Sequence, residues 1–270
     1  FQMVVGGALT SNASDIHLEA KELGMLFRLR IDGILHDVAT IPLRNYRGLL
    51  NRIKLLSGLK LNVRSEAQDG RFSIDLGNGN DAEVRVSMIP SEAGEIVVMR
   101  VLDPDALAVN IADLGMRPDA EAIALKELTR PNGLILNTGP TGSGKTTTLY
   151  SFLRHITNPE KKVITIEDPI EYKIEGIDQT QVDAEGGYTF SSGLRSVLRQ
   201  DPDVLLIGEI RDGETADIAL QAALTGHLVF STLHTNSSFG AIPRLVDLEV
   251  RPAAIAPAVN LIIAQRLVRT

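Results

Sequence analysis

A glycine-rich loop that precedes a helix pattern is the stretch of this sequence best suited to chemistry. Gly139, Gly144, Lys145 and Thr146 satisfy the spacing G-x-x-x-x-G-K-[ST], which holds the phosphates of a nucleotide. Glycines let backbone amides turn inward toward an anion, and the start of the following helix adds partial positive charge. We therefore expect a nucleotide to bind the whole segment: Gly139, Pro140, Thr141, Gly142, Ser143, Gly144, Lys145, Thr146 and Thr147.

Two side chains of this loop have specific expected roles. We expect the Lys145 ammonium to reach the outer phosphates of ATP and the Thr146 hydroxyl to bind Mg²⁺. A glycine-rich turn without a ligand is the alternative. The apolar strand pattern before the loop, "GLILNT", favours the nucleotide site.

Acidic residues follow two other apolar stretches. Glu167 ends the strand pattern in "ITIEDPIEY", and Glu209 follows "VLLIG". Because the carboxyl ends of parallel strands face the ligand crevice, Glu167 is a candidate base for the water that attacks the γ-phosphate. Glu209 resembles the acid of a Walker B strand, but Gly208 takes the usual aspartate position, so we expect it to act on Mg²⁺ through water. The alternatives are a solvated strand end for Glu167 and a helix cap for Glu209.

Histidines and arginines complete the set of candidate catalytic residues. His227 and His234 bracket the strand pattern "LVFSTL", where a histidine near phosphates could polarise the γ-phosphate. Arg71 and Arg85 lie on a predicted hairpin and could be delivered to the γ-phosphate from another domain or subunit. The alternatives are core histidines with satisfied hydrogen bonds and a solvated arginine face.

The elements that must position these residues fall into two blocks. Residues 1–102 indicate an α+β domain, 103–118 a linker bracketed by X-Pro pairs, and 119–270 an α/β domain. In the first block, the pattern predicts strands over "DIHLE", "MLFRLRI" and "ILHDV", a helix over 43–57 and a hairpin across "GNGND" before "EIVVMRVL" closes the sheet. Alternation directs Met25, Phe27, Leu29 and Ile31 inward.

The second block alternates helix and strand patterns, which predicts a mostly parallel sheet covered by helices. The predicted helices are 119–129, 145–156, 190–200 and 214–224, and the predicted strands are 133–138, 162–166, 203–207 and 227–232. The strands are short and nearly all apolar, as strands buried on both faces are.

Composition narrows the function class. The chain has 270 residues with 34 acidic and 27 basic side chains, which gives a net charge of −7. This charge argues against a protein whose main function is to bind nucleic acid. It has no cysteine, so a reducing, cytoplasmic setting is the default. We expect no signal peptide and no direct membrane insertion, because the longest apolar candidate, "AAIAPAVNLIIA", is too short to span a bilayer.

The motifs together resemble one family. "ASDIHLE", "GPTGSGKTTTLY", "ITIEDPIEY", "LRQDPDVLLIGEIRD", "ALTGHLVFSTLHTN" and "AQRLVR" resemble the secretion ATPases that power type II secretion and type IV pilus assembly. The resemblance implies a RecA-like P-loop ATPase domain preceded by a smaller PAS-like domain. It also implies that Glu167 is the catalytic glutamate, Glu209 the Walker B acid, His227 and His234 the histidine box, and Arg71 and Arg85 arginines supplied to the nucleotide.

The resemblance further implies a homohexamer in the cytoplasm, docked on inner-membrane platform proteins. The family's docking domain and four-cysteine zinc module are not in the sequence, so we expect a fragment. The leading hypothesis is an ATP-hydrolysing motor for type II secretion pseudopilus assembly. A pilus extension or retraction ATPase, a RecA-like nucleic-acid translocase and a nucleotide-gated adaptor stay open as alternatives.

Overall fold

The computed structural model describes residues 1–22, 24–77, 81–102 and 109–268. The chain divides into two compact units, Phe1–Leu107 and Ala108–Thr270. Of the predicted linker, 103–108 lie outside the described residues, as do 78–80 of the predicted hairpin turn.

The first unit is built on an antiparallel sheet with the strand order β3-β2-β1-β6-β5-β4. Its elements are α1 (Gln2–Thr10), β1 (Asp15–Lys21), β2 (Gly24–Ile31), β3 (Ile34–Ile41), α2 (Leu43–Leu56), β4 (Gln68–Asp75), β5 (Asp81–Ser91) and β6 (Gly94–Leu102). The predicted strands and helix are confirmed. The strand β6 does not close the sheet at its edge, however, but lies at its centre between β1 and β5.

Strand alternation divides the two faces of this sheet. Val84, Val86 and Met88 of β5 are buried, and they pack with the inward residues of β1 and β2 against α1 and α2. The intervening residues face away from this core, because successive side chains of a strand point to opposite faces. One face of the sheet is therefore apolar and covered, and the other carries charged side chains.

The second unit is built on a parallel sheet with the order β12-β7-β11-β10-β8-β9. Its strands are β7 (Gly133–Thr138), β8 (Val163–Glu167), β9 (Asp178–Gln181), β10 (Val204–Ile207), β11 (Leu228–Leu233) and β12 (Val259–Ala264). Its helices are α3 (Pro118–Leu128), α4 (Lys145–Ile156), α5 (Phe190–Val197), α6 (Gly213–Leu224), α7 (Ala241–Asp247) and α8 (Pro252–Ala258).

Helices cover both faces of the parallel sheet. Leu134 and Leu136 of β7 pack with α5, α6 and α8, whereas Ile135 between them packs with α3 and α4. The predicted helices and strands of this unit are confirmed to within a few residues.

Several elements were not predicted. The apolar run "AAIAPAVNLIIA" forms α8 and the edge strand β12, and the polar segment Asp178–Gln181 forms the opposite edge strand. In the described part of the predicted linker, Ile111 is buried in the core that α4 forms. Within the described residues, no helix combines the length and the apolar character needed to cross a bilayer.

Candidate active site

The phosphate loop connects β7 to α4. Gly139, Gly142 and Gly144 have φ of 152°, 76° and 84°, which side-chain-bearing residues rarely adopt. A Cβ at Gly139 would lie 2.5 Å from Ser143 Oγ and 2.7 Å from the Gln265 carbonyl oxygen. Gly144 caps α4 with no side-chain hydrogen bond, so the amides of the first helical turn are left for an anion.

Lys145 lies across this loop. Its Nζ donates to the carbonyl oxygens of Gly139 and Pro140, both at 2.9 Å. Burial lowers the pKa of Lys145, and the nearby Arg266 charge lowers it further, against the opposing charge of Glu209. The ammonium thus lies over the loop, and the negative charge of a bound polyanion would offset the cost of its burial.

A pair of amides connects the loop to the end of β12. The buried Asn137 donates from Nδ2 to Gln265 Oε1 at 2.6 Å, and Gln265 Nε2 donates to the Ser143 carbonyl oxygen at 2.6 Å. Arg266 donates to the Asn236 carbonyl oxygen at 3.1 Å. Sequence reasoning missed Asn137 and Gln265, because they are 128 residues apart and only the sheet brings them together. The "AQRLVR" motif was the available signal.

Glu167 ends β8 on the α4 side of the sheet. It is only 4% exposed, and Tyr150, Thr165 and Gln179 all donate hydrogen bonds to its carboxylate. Burial raises the pKa of Glu167, and these three hydrogen bonds oppose that rise. The hydrogen bonds therefore favour an ionised carboxylate in a site from which water is largely excluded.

Glu209 follows β10 at the same edge. Its Oε1 accepts from Arg211 Nη2 at 2.5 Å, and its Oε2 lies 3.2 Å from His234 Nε2. Burial alone would raise the pKa of Glu209, but Arg211 and His234 outweigh burial and lower it. Asp168 lies 3.8 Å from Arg211, so the guanidinium lies between the acids that follow β8 and β10.

The parallel sheet brings four of the predicted features to its carboxyl edge. These are the phosphate loop after β7, Glu167 at the end of β8, Glu209 after β10 and His234 after β11. His227 lies at the opposite edge, where its carbonyl oxygen accepts from Gly133 N and its Nδ1 lies 3.1 Å from the Ala222 carbonyl oxygen. Within this chain the structure thus places His234, and not His227, at the edge of the sheet that carries the loop.

Arg71 and Arg85 lie directly opposite each other on β4 and β5. Arg85 in turn pairs in register with Arg100 of β6, and Arg100 donates to Asp15 at 3.0 Å. Arg71 is exposed and makes no ion pair with any described residue. Like charges directly opposite on neighbouring strands are destabilising, and carboxylates offset this at Arg85, which donates from Nε to Glu83 at 3.3 Å, and at Arg100.

The residues of the second unit fit a nucleotide-bound magnesium ion. Mg²⁺ prefers oxygen ligands and keeps several waters, and Thr146 presents an exposed hydroxyl at the start of α4. Among the described side chains, the buried Ser143 Oγ in the loop has no hydrogen-bond partner. A loop with an unsatisfied hydroxyl, uncapped amides and a lysine is suited to phosphate and its counter-ion.

The family described as Type II/IV secretion system protein matches residues 1–270. The chain belongs to this family. It is 49% identical over 267 residues to type II secretion system protein E of Pseudomonas aeruginosa, which covers 98% of this chain and 53% of that protein. It is 45% identical over 269 residues to the type IV pilus assembly ATPase PilB of Myxococcus xanthus, covering 99% of this chain and 47% of that protein.

A solved structure of the pilus retraction motor PilT with bound ADP has a TM-score of 0.73 to this chain at 32% identity. The match covers 98% of this chain and 78% of PilT. The predicted fold class, a RecA-like P-loop α/β unit preceded by a smaller α+β unit, is confirmed. The chain spans about half the length of the curated members of the family that it matches.

Proposed function

We propose that this chain is the ATP-hydrolysing part of a motor that powers pseudopilus assembly in type II secretion. The observation that carries the proposal is the convergence of the phosphate loop, Glu167, Glu209 and His234 at one edge of a parallel sheet. The identity to a type II secretion system protein E supports the choice of machine. Pilus extension is the second candidate, because PilB is 45% identical.

Binding depends on the loop. The amides of residues 142–147 and Lys145 would hold the triphosphate, with Lys145 leaving the carbonyl oxygens of Gly139 and Pro140. Mg²⁺ would be held by Thr146, the phosphates and water, with Glu209 behind the water, and it would neutralise charge on the phosphate oxygens.

Hydrolysis depends on the carboxyl edge. Glu167 would orient a water and accept its proton as the water attacks the γ-phosphate. His234, 3.2 Å from Glu209, would polarise the γ-phosphate from the next strand. Arg71 and Arg85 would stabilise charge on the transferred phosphoryl group. His227 lies at the opposite edge of the sheet and would act only on a nucleotide held outside this chain's own loop.

The whole motor would be a homohexamer in the cytoplasm, attached to the inner membrane through platform and docking proteins. Hydrolysis would reorient one domain of each subunit and drive pilin-like subunits outward. The predicted division into a PAS-like domain at 1–102, a linker at 103–118 and an ATPase domain at 119–270 belongs to this proposal. The separate hydrophobic cores of the two units support two independently packed bodies, and Ile111 of the predicted linker packs into the second of them.

Turnover of ATP by the full-length protein tests the proposal. Lys145→Ala should abolish measurable turnover and weaken ATP binding at least about tenfold, because the phosphates lose their main counter-charge. Glu167→Gln should keep ATP binding and lower kcat by about 10²-fold or more. The matched control is Lys126→Ala, an exposed lysine on α3. Undiminished turnover in Lys145→Ala, in a sample whose oligomeric state matches wild type, would refute the proposal.

A further inference from the structure

Three donors surround the carboxylate of Glu167 from three different elements. Tyr150 of α4 donates to Oε2, whereas Thr165 of β8 and Gln179 of β9 donate to Oε1, the last at 3.2 Å. Since both carboxylate oxygens are engaged, the side chain has one defined orientation. Nothing in the motif "ITIEDPIEY" predicts these partners, apart from Thr165 within it.

The donors are themselves held in place. Tyr150 and Thr165 are fully buried, and the Tyr150 ring packs edge-on against Tyr172 with centroids 4.7 Å apart. Gln179 is oriented at both ends of its amide, because Nε2 also donates to the Tyr172 carbonyl oxygen at 3.0 Å and Oε1 accepts from Ile174 N at 2.8 Å. A cluster held this firmly positions a side chain rather than filling space.

The helix α4 connects this cluster to the phosphate loop. It begins at Lys145, and Tyr150 follows five residues later, about 7.5 Å along the axis. The helix whose first turn follows the phosphate loop therefore contacts Glu167 through its second turn.

We propose that Tyr150 is a positioning residue for Glu167. Its hydroxyl, together with the Thr165 hydroxyl and the Gln179 amide, fixes the carboxylate relative to the helix that begins at the phosphate loop. The inference rests on the proposed role of Glu167 as base. A misplaced base loses turnover rather than substrate affinity, because it acts on the attacking water and not on the bound nucleotide.

The hydrogen bonds also govern ionisation. The ionisable groups that face Glu167 are Tyr150 on α4, and Glu171 and Tyr172 on the segment after β8. Burial raises the pKa of Glu167 most, the three donors lower it, and the Glu171 charge adds a smaller rise. Burial also raises the pKa of Tyr150, so its hydroxyl stays protonated and remains a donor.

Tyr150→Phe in the full-length protein tests the proposal, because it removes the hydroxyl and keeps the packed ring. We expect kcat for ATP to fall about tenfold near neutral pH, while KM stays within about twofold of the wild-type value. In the pH profile of kcat, the acid limb should move up by about one pH unit. Gln179→Met should shift the limb in the same direction. The control is Tyr188→Phe, whose hydroxyl donates to Thr180 and not to Glu167, and which should match wild type.

An infrared titration gives a readout that does not depend on turnover. The carbonyl band of the protonated Glu167 carboxyl, identified by its absence in Glu167→Gln, should titrate at higher pH in Tyr150→Phe than in wild type. An unchanged titration together with an unchanged acid limb would overturn the positioning role. Wild-type turnover in Glu167→Gln would instead overturn the base assignment of the proposed function, and the two failures are thus separate.

Discussion

The amide pair that links β12 to the phosphate loop allows a sharp test of how the loop is held. Gln265→Leu removes the acceptor of Asn137 Nδ2 and the donor to the Ser143 carbonyl oxygen, two hydrogen bonds of 2.6 Å. Asn137 is fully buried, and among the described residues its Nδ2 has one other acceptor, the Lys145 carbonyl oxygen at 3.4 Å. The substitution therefore leaves a buried amide poorly paired.

The expected magnitude follows from that geometry. An unsatisfied buried donor costs about 1–3 kcal/mol. For a domain of this size each kcal/mol lowers Tm by about 2–4 °C. A cost of about 2 kcal/mol, the middle of the energy range, therefore lowers Tm by about 4–8 °C. Part of the cost would appear as disorder of the loop. Because ATP binding must then order the loop again, KM for ATP should rise about tenfold. The kcat should change less, because Glu167 and its donors are not touched.

Thermal unfolding and steady-state turnover measure these two effects. Gln221→Leu, an exposed glutamine on α6, is the control for the change in composition and should alter neither quantity by much. A fall in Tm without any change in KM would show that the amide pair stabilises the fold but does not order the loop. Unchanged values of both would refute the reasoning altogether.

Three further predictions concern charged residues. Arg71→Ala and Arg85→Ala should each lower kcat about tenfold or more with a smaller change in KM, measured by steady-state kinetics, and a change confined to KM would indicate ground-state binding instead. Because Arg211 helps to lower the pKa of Glu209, the ionised acid stabilises the fold above its ordinary pKa of 4.5, and that contribution is lost as pH falls through the lower folded value. Arg211→Met should therefore lower Tm more at about pH 7 than at about pH 3 in thermal unfolding, and an equal loss at both would contradict this. In steady-state kinetics, His227→Ala should lower turnover less than His234→Ala does. The reverse order would show that His227 acts at the nucleotide.

Local pattern was enough to predict the elements that present the site. The glycine spacing, the apolar run before Gly139 and the helix pattern from Lys145 all fall within 133–156, and the structure has β7, the loop and α4 there. The acids at the ends of β8 and β10 were predicted for the same reason, since strand direction alone places them at one edge.

The residues that hold the site were beyond that reasoning. Tyr150 and Gln179 contact Glu167 only because α4 packs on the sheet and β9 pairs with β8. The residues of β9 are all polar, so no alternation of apolar and polar residues indicates a strand there. Gln265 reaches the loop because β12 pairs with β7 across a long stretch of chain. Strand direction alone, in contrast, separates the two histidines that bracket β11, because His227 precedes the strand and His234 follows it.

A structure of the full-length protein with Mg²⁺ and a non-hydrolysable ATP analogue tests the central claim most directly. We predict that the triphosphate lies on the amides that follow Gly139, with the Lys145 ammonium moved from the loop carbonyl oxygens to the phosphates and Glu167 facing the γ-phosphate through a water. A nucleotide bound elsewhere, or Lys145 still bonded to Gly139 and Pro140 beside a bound analogue, would contradict the account.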